Sequence, residues 1–271
     1  MLFKQNLHTH TTYCDGMLSA EDMIKAAIEM GGDSIGFSEH SYVPFDEDYS
    51  MTLEDTPLYI KEINTLKQKY KGKIDVFLGL EIDYFTEKIP EGLEFIIGTA
   101  HHVEKDGKYI TVDGWAEHLI NMNNEHFGGD FYSMVESYYD TVAGVVQKTG
   151  ANIVGHFDLI TKNNDNGNLF DESHPRYINA AVNAMEQVLE KCNLFEVNTG
   201  AMFRRGKAQP YPSIYLLKEL QKRGGEIIFS SDSHTAESLY YKFDEIRELV
   251  KSCGFKQIKR FTKDGFVDGL L

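Results

Sequence analysis

Short apolar runs rich in β-branched and aromatic residues alternate along the chain with longer amphipathic segments. The runs predict seven strands, near 3–8, 33–39, 74–81, 94–100, 152–157, 194–198 and 226–231. Strands that alternate with helices are typical of βαβ units. The pattern therefore predicts an α/β fold with a mainly parallel sheet.

The amphipathic segments carry the start and stop signals of helices. The stretch "SAEDMIKAAIEMG" offers Ser19 as an N-cap and Gly31 as an end. The stretch "TPLYIKEINTLKQKYKG" has Pro57 in its first turn and Gly72 at its close. Two further stretches, "PRYINAAVNAMEQVLEKC" and "SIYLLKELQKRGG", repeat the design, so helices are predicted between the strands.

The length of 271 residues suits one α/β barrel with a large core. Two long polar segments, 103–130 and 158–174, are predicted to be loops or lids rather than linkers. We therefore expect a single domain over residues 1–271.

The charge balance bears on the partners of the protein. The chain carries 42 acidic and 27 basic residues, a net charge of -15. Nucleic-acid binding depends on clustered Lys and Arg, so no nucleic-acid partner is expected. A small anionic substrate is compatible with the charge, because a few local cations or metal ions can hold it.

The cysteines and the lengths of the apolar runs indicate where in the cell the protein is expected. Cys14, Cys192 and Cys253 form no CxxC spacing, which argues against a disulfide framework and against a cysteine zinc site. No stretch of 18 apolar residues occurs, so no membrane partner is expected. We expect a cytoplasmic protein, and the sequence leaves its oligomeric state open.

Every predicted strand stops on a side chain that can bind metal or substrate. In chain order these residues are His8 and His10, Glu39 and His40, Glu81, His101 and His102, His156, Asn198, and Asp232 with His234. The carboxyl ends of parallel strands in a barrel converge on one rim, where catalytic residues gather. The sequence therefore predicts one shared site.

Imidazole and carboxylate ligands suit Zn, Mn or Fe better than Ca. Residues i and i+2 of a strand share a face, so His8 and His10 can bind one ion together. Asp232 and His234 can do the same if the backbone there is extended. The donors outnumber what one tetrahedral ion needs, which indicates at least two divalent ions and favours three.

Each of these residues also has a purely structural explanation. An HxH pair alone is weak support for a metal site. His156 could be a hydrogen-bonded core residue, Glu81 could pair with a buried cation, and Asp232 could cap a helix. Crowding them all at one rim without cations would cost desolvation and repulsion, so the metal site is favoured.

The remaining candidates are assigned by their neighbours in the sequence. Asp15, close behind the HxH pair, is expected to be a ligand although it could form a turn before Gly16. His102 would face away from His101 on a strand, so it is expected at the rim or in contact with substrate. Three other histidines are expected on the solvated surface, namely His118, His126 and His174.

With these residues assembled, the chain resembles the polymerase-and-histidinol-phosphatase (PHP) superfamily over nearly its whole length. The matching motifs are "HTH" at 8–10, "SEH" at 38–40, "GLE" at 79–81, "GTAH" at 98–101, "GHFDL" at 155–159 and "DSH" at 232–234. Two further segments, "YIKEINTLKQKYKGKIDVFLGLEIDY" and "FEVNTGAMFRRGKAQPYPS", resemble the L-histidinol-phosphate phosphatase branch.

The resemblance implies a distorted seven-stranded (β/α)7 TIM-like barrel and a trinuclear metal centre. It implies three ligand sets: His8, His10, Glu81 and Asp232 for one ion; Glu81, His101 and His156 for a second; Asp15, His40 and His234 for a third. It also implies hydrolysis of a phosphate monoester, most specifically L-histidinol phosphate.

Several residues are candidates for substrate contact and catalysis. Arg204 and Arg205 are candidates for binding phosphate oxygens, and the sequence does not separate them. Lys162, which follows "GHFDL" where the branch usually has Arg, is a third candidate. Asp232 is the candidate to accept the proton of the nucleophile. Another small phosphate ester, such as a nucleotide or sugar phosphate, stays open as the substrate, as does a metal-storing module without activity.

Overall fold

Seven parallel strands form the centre of the protein. The structure, a computed structural model, describes residues 3–46 and 49–271. Its strands are β1 (Gln5–Asn6), β2 (Ser34–Phe37), β3 (Asp75–Asp83), β4 (Phe95–Thr99), β5 (His102–Lys105), β6 (Lys108–Thr111), β7 (Ile153–Val154), β8 (Leu194–Asn198), β9 (Glu226–Ser230), β10 (Gln257–Thr262) and β11 (Gly265–Leu270). The seven-stranded sheet has the order β1-β2-β3-β4-β7-β8-β9. All seven predicted strands are therefore present, several of them shorter than predicted.

The two ends of this sheet meet through the residues that follow β1 and β9. Thr9 and Ser233 form a parallel bridge. The His10 amide donates to the Ser233 carbonyl at 2.8 Å, and the Ser233 amide donates to the His8 carbonyl at 2.9 Å. The sheet is thus a nearly closed barrel, and the prediction of an α/β fold with a distorted seven-stranded barrel is confirmed.

Helices connect the strands of the barrel. They are α1 (Ala20–Glu29), α2 (Thr56–Lys69), α3 (Ala116–His126), α4 (Phe131–Thr149), α5 (Pro175–Leu189), α6 (Gly200–Arg205), α7 (Ile214–Lys222) and α8 (Phe243–Ser252). The predicted N-cap is present at α1, where the Ser19 hydroxyl accepts from the Asp22 amide at 3.2 Å. Within the described residues, no helix is both long and apolar enough to cross a membrane.

The prediction that 103–130 is a loop is wrong. β5 and β6 form an antiparallel hairpin around Asp106 and Gly107, both at positive φ, and α3 follows. Val103 and Ile110 are buried on one face of the hairpin while Glu104 is exposed on the other. This alternation and the Asp-Gly turn are hairpin signals, which the polar residues around them obscured. The other polar segment, 158–174, holds two short 3-10 turns and otherwise irregular chain.

A second hairpin, β10–β11, was not predicted and covers one end of the barrel; we call it the floor hairpin. The Phe261 ring packs against Phe77 and Phe95, with centroids 5.0 and 5.8 Å apart. The Gln5 amide joins the hairpin to β1, because Nε2 donates to the Phe261 carbonyl at 2.8 Å and Oε1 accepts from the Phe261 amide at 2.7 Å. The floor hairpin therefore holds the start of the first strand.

Candidate metal centre

All nine predicted metal ligands lie together at the carboxyl ends of the barrel strands. Their nitrogen and oxygen atoms form overlapping groups in which every donor lies within 4.8 Å of the others. The groups are His8, His10 and Asp232; His8, Glu81 and His156; His40, Glu81 and His101; and His10, Asp15, His40 and His234. Each of these residues lies near the carboxyl end of a barrel strand or in the chain that follows it.

The HxH pair faces two carboxylates. His8 Nε2 lies 3.1 Å from Glu81 Oε2 and 3.7 Å from Asp232 Oδ1. His10 Nε2 lies 3.5 and 3.2 Å from the same two oxygens. The two imidazoles therefore share one pair of acceptors, as the i and i+2 spacing predicts.

Glu81 lies at the centre of the cluster and is almost fully buried. Its Oε1 lies 2.9 Å from His156 Nε2 and 3.4 Å from His101 Nε2. Its Oε2 lies 2.8 Å from His40 Nδ1. The two oxygens thus face different histidines, which is the arrangement a bridging carboxylate needs.

Asp15 closes the outer side of the cluster. Its Oδ2 lies 3.1 Å from His234 Nε2, and its Oδ1 lies 3.6 Å from His40 Nε2. The His10 ring lies against both histidines, with centroids 4.2 Å from His40 and 4.3 Å from His234. Asp15, His40 and His234 therefore lie next to the HxH pair.

The donor atoms fit divalent metal ions. Ligands about 2.0–2.1 Å from a tetrahedral ion are about 3.3 Å from one another, and the separations around His8 and His10 span 3.1 to 3.7 Å. Three of the buried donors, His8 Nε2, His10 Nε2 and Glu81 Oε2, have no hydrogen-bond partner within the described residues. Buried polar atoms in that state cost free energy, and a bound cation would remove that cost.

The electrostatics of the site depend on burial and on mixed charge. Burial disfavours charge on Glu81, but the neighbouring His40 and His8 outweigh it and hold the pKa of the carboxyl well below its usual value. The pKa of Asp232 is likewise lowered despite burial, chiefly by Arg204. Both carboxylates are therefore ionised and need positive charge nearby.

The histidines divide between two states for the same reasons. Burial and the adjacent His40 lower the pKa of His10 to about 3. Burial also acts on His40, but Glu81 and Asp15 raise its pKa to about 9. A proton on His40 and a bound metal ion would therefore compete for the negative charge of Glu81 and Asp15.

Two carboxylates that sequence reasoning missed orient the histidines from behind. Glu196 on β8 accepts from His8 Nδ1 at 2.8 Å, and Asp83 on β3 accepts from His101 Nδ1 at 3.1 Å. An acceptor at Nδ1 leaves the Nε2 lone pair free for a metal. Asp83 lies two residues after Glu81 and so shares its face, which is a sequence signal that could have identified it.

A third carboxylate, Glu39, supports the loop after β1. It accepts from the Thr11 hydroxyl at 2.6 Å, from the Thr11 amide at 3.0 Å and from the Cys14 thiol at 2.7 Å. Cys14 Sγ lies 3.5 Å from His10 Nδ1. Glu39 ends the second predicted strand but supports the site from outside the nine ligands.

Asp232 combines an unusual backbone with a cationic partner. Its φ is 47°, a left-handed conformation that is uncommon for residues other than glycine and recurs at functional sites. Arg204 donates through Nη2 to the Asp232 carboxylate at 2.8 Å and through Nη1 to its carbonyl at 2.6 Å. One guanidinium therefore holds both polar ends of this residue.

The four predicted substrate contacts differ in position. Both arginines are exposed, but Arg204 contacts the cluster through Asp232, whereas Arg205 lines an outer groove beside Asn166 and Lys207. Lys162 pairs with the Asp113 carboxylate and donates to the Asp113 carbonyl at 2.8 Å. The structure thus separates the two arginines and gives Lys162 a protein partner.

His102 lies beside the cluster rather than in it. Its Nε2 lies 2.8 Å from Asp46 Oδ2, and its ring lies near Tyr49, which also contacts His101. The three histidines predicted on the surface, His118, His126 and His174, are outside the donor groups. His174 caps α5 by accepting from the Arg176 amide.

The chain is similar over most of its length to curated proteins named as histidinol-phosphatases. The chain is 28% identical over 262 residues to a probable histidinol-phosphatase of Deinococcus radiodurans, covering 93% of this chain and 94% of that protein. It is 25% identical to the histidinol-phosphatase of Bacillus subtilis over 271 aligned positions, 90% of this chain and 98% of that protein.

Solved structures show the same fold. A histidinol phosphate phosphatase of Lactococcus lactis, crystallised with zinc, L-histidinol and phosphate, has a TM-score of 0.69 at 24% identity, over 98% of this chain and all of that one. A putative histidinol phosphatase of Listeria monocytogenes has a TM-score of 0.75 at 21% identity, over 89% and 99%.

The family model described as the PHP domain matches residues 6–200. The match begins just before the HxH pair and takes in seven of the nine clustered residues, from His8 to His156. Since it covers more than half of the sequence, the chain belongs to the PHP domain family.

Proposed function

We propose that the protein is a metal-dependent phosphatase that hydrolyses L-histidinol phosphate to L-histidinol and phosphate, a step of histidine biosynthesis. The observation that carries the proposal is the cluster of nine imidazole and carboxylate ligands at the barrel rim, seven of which are buried. The names of the full-length relatives support the choice of substrate, as does the L-histidinol bound to the Lactococcus protein.

We propose three divalent ions at this centre. His8, His10, Glu81 and Asp232 would hold the first, Glu81, His101 and His156 the second, and Asp15, His40 and His234 the third. Zinc is the first choice because the Lactococcus protein was crystallised with it. Manganese and iron, which accept the same ligands, stay predictions.

The residues of the chain bind and orient the substrate. Bound divalent ions lower the pKa of water and neutralise charge on phosphate oxygens. Asp232 accepts the proton of the attacking water, and the neighbouring Arg204 binds a non-bridging phosphate oxygen. The P–O bond to the alcohol breaks as the new P–O bond forms, and the alkoxide takes the proton held by Asp232 to leave as L-histidinol.

Other residues act at a greater distance. Lys162, through its ion pair with Asp113, anchors the chain between β6 and α3 beside the site. His102 and Arg205 stay predicted substrate contacts of lower rank, because His102 is already paired with Asp46 and Arg205 lies in the outer groove. The acidic rim would favour an amine-bearing substrate.

The other expectations stay predictions. They are a cytoplasmic location, a single domain over 1–271, and the absence of nucleic-acid and membrane partners. The floor hairpin supports the single domain, since it joins residue 261 to residue 5 by two hydrogen bonds.

The proposal is tested by measuring phosphate release from L-histidinol phosphate with zinc or manganese added. p-Nitrophenyl phosphate and a nucleotide monophosphate serve as competing substrates. We expect turnover of L-histidinol phosphate that chelation and His10→Ala both abolish. His118→Ala, at an exposed histidine of α3, is the matched control and should retain activity.

Two results would redirect the proposal. Turnover of the competing esters without turnover of L-histidinol phosphate would leave a phosphatase for another small phosphate ester. Bound metal without release of phosphate from any ester would favour the metal-storing alternative.

A further inference from the structure

A second cavity, of about 260 Å³, lies between the floor hairpin, α8 and β9. Aromatic side chains form part of its wall, namely Phe3, Phe229 and Phe243. Three basic side chains of α8 and β10 and one carboxylate, Asp268 of β11, also line it, and none of the nine clustered ligands does. The space equals about nine water molecules at the liquid volume of about 30 Å³ each, so it suits a small ligand.

Arg247 of α8 lines this cavity and has no carboxylate partner within the described residues. Its side chain is buried, with 5% of the residue exposed. Nη1 donates to the Leu270 carbonyl at 3.2 Å, the guanidinium lies over the Phe229 ring at 5.5 Å, and Nε has no hydrogen-bond partner. A guanidinium stays charged at all ordinary pH values, and a buried unpaired charge is costly.

Arg260 of β10 adds a second cation to the same wall. Its guanidinium lies 4.9 Å from the centroid of the Phe3 ring, and its Nε also lacks a hydrogen-bond partner within the part of the chain that the structure describes. No ion pair to Arg260 occurs among the described residues. Within the described residues, neither of the two guanidinium groups in this cavity forms an ion pair with a carboxylate.

The third basic residue of the wall, Lys259, differs from the two arginines because it has carboxylate partners. Lys259 pairs with Asp268 at 2.7 Å and with Glu226 at 3.0 Å, so the acidic groups nearby are already engaged. On a chain with a net charge of -15, two arginines without ion pairs in one partly aromatic cavity are a local reversal of sign. This charge pattern matches an anion with an apolar body.

We propose that this cavity binds a small organic anion, whose carboxylate or phosphoryl group meets Arg247 and Arg260 while its apolar part packs on the phenylalanine rings. The guanidinium fork matches the paired oxygens of both acidic groups. The site is independent of the phosphatase reaction, because it shares no residue with the metal cluster.

The test is a calorimetric titration of the metal-loaded protein with benzoate and with phenylphosphonate. The two probes distinguish a carboxylate ligand from a phosphoryl one, and benzyl alcohol is the uncharged control. We expect saturable binding of at least one anion and none of the alcohol. Arg247→Met should weaken binding about tenfold to a hundredfold, the effect of losing charge-assisted hydrogen bonds.

Two control variants locate the binding. Arg223→Met removes an arginine that already pairs with Glu219 and Glu186, so anion binding should be unchanged. Asp232→Asn alters the metal cluster and should also leave binding in this cavity unchanged. Anion binding that Asp232→Asn abolishes would place the anion at the metals and overturn the proposal.

Thermal unfolding supplies a readout that folding defects do not imitate. A ligand that binds only the folded state raises Tm by mass action, so the anion should raise Tm of the unaltered protein and not that of Arg247→Met. Equal anion-induced shifts in both proteins, or no binding of either probe, would show that Arg247 is satisfied by Phe229 and the Leu270 carbonyl alone.

Discussion

The orientation of the clustered histidines depends on residues behind them, and Glu196 is the clearest case. Its Oε1 accepts from the His156 amide at 2.5 Å and from Asn198 Nδ2 at 2.9 Å. Its Oε2 accepts from His8 Nδ1 at 2.8 Å and from the Ser230 hydroxyl at 2.6 Å. One carboxylate therefore serves four donors, two of which belong to predicted ligands.

Glu196→Gln should weaken metal binding about tenfold to a hundredfold, the usual effect of losing such a partner of a ligand histidine. The amide NH2 would replace one oxygen and face groups that also donate. Competition with a chromogenic chelator measures the affinity. Glu186→Gln, on the outer face of α5, is the matched control, and an unchanged affinity in folded Glu196→Gln would contradict the assigned role.

Arg204 and Arg205 provide a second comparison at the residue scale. Arg204→Met should lower kcat/KM for phosphate release about a hundredfold to a thousandfold, the range for removing one preorganised donor to developing charge. Arg205→Met should stay within about twofold, because its side chain lies in the outer groove. Steady-state kinetics on both variants check the pair, and equal losses would refute the assignment.

The nine ligands could be predicted because each one lies near or after the carboxyl end of a strand of a parallel barrel, and these ends meet at one rim. Glu196 could not be ranked as a partner of His8, since the two are 188 positions apart and only the closed barrel joins them. The same holds for the choice between Arg204 and Arg205, which depends on how α6 turns after Asn198.

At the scale of elements, the βα units were predicted and the two hairpins were missed, although each has an Asp-Gly pair at its turn. The barrel strands are short apolar runs with helix caps nearby, so local signals agree with the fold. The floor hairpin, by contrast, reads "QIKRFTKDGFVDGL", in which charged residues alternate with a few apolar ones. Its single deeply buried ring, Phe261, is explained only by the open end of the barrel that it covers.

Phe261→Ala should therefore destabilise the protein by about 3–5 kcal/mol, as large-to-small changes in aromatic cores do. Its ring contacts Phe77, Phe95 and Phe266, and the cavity left would sit at the barrel axis. Urea unfolding monitored by circular dichroism measures the loss. Leu270→Ala, at a residue 83% exposed, should cost less than about 0.5 kcal/mol.

At the scale of the whole molecule, the metal centre is also a store of folding free energy. Ionised carboxylates and imidazoles meet in one buried region from strands spread over the entire barrel. Cations that bind only this assembled state stabilise it by mass action, by about 2.7 kcal/mol at a hundredfold excess over Kd. Loss of the ions should therefore lower the free energy of unfolding of the whole protein.

Chelation should lower Tm by at least about 5 °C, since 1 kcal/mol corresponds to about 2–4 °C in a protein of this size. Zinc should restore Tm, whereas calcium, which prefers oxygen ligands, should not. Differential scanning calorimetry follows the transition. His10→Ala should show a smaller response to the chelator than the unaltered protein, and identical melting with and without chelator would argue against structural metal.

The tie between Gln5 and Phe261 has a consequence for the order of events during synthesis. β2, one neighbour of the strand that carries His8 and His10, is translated soon after it, but its other neighbour in the barrel wall and its anchor in the floor hairpin are translated more than two hundred residues later. His8 and His10 therefore lack these partners in the nascent chain until the residues after β9 and the floor hairpin have been synthesised. Ions can therefore meet the complete set of ligands only after Asp232, His234 and the floor hairpin have been synthesised.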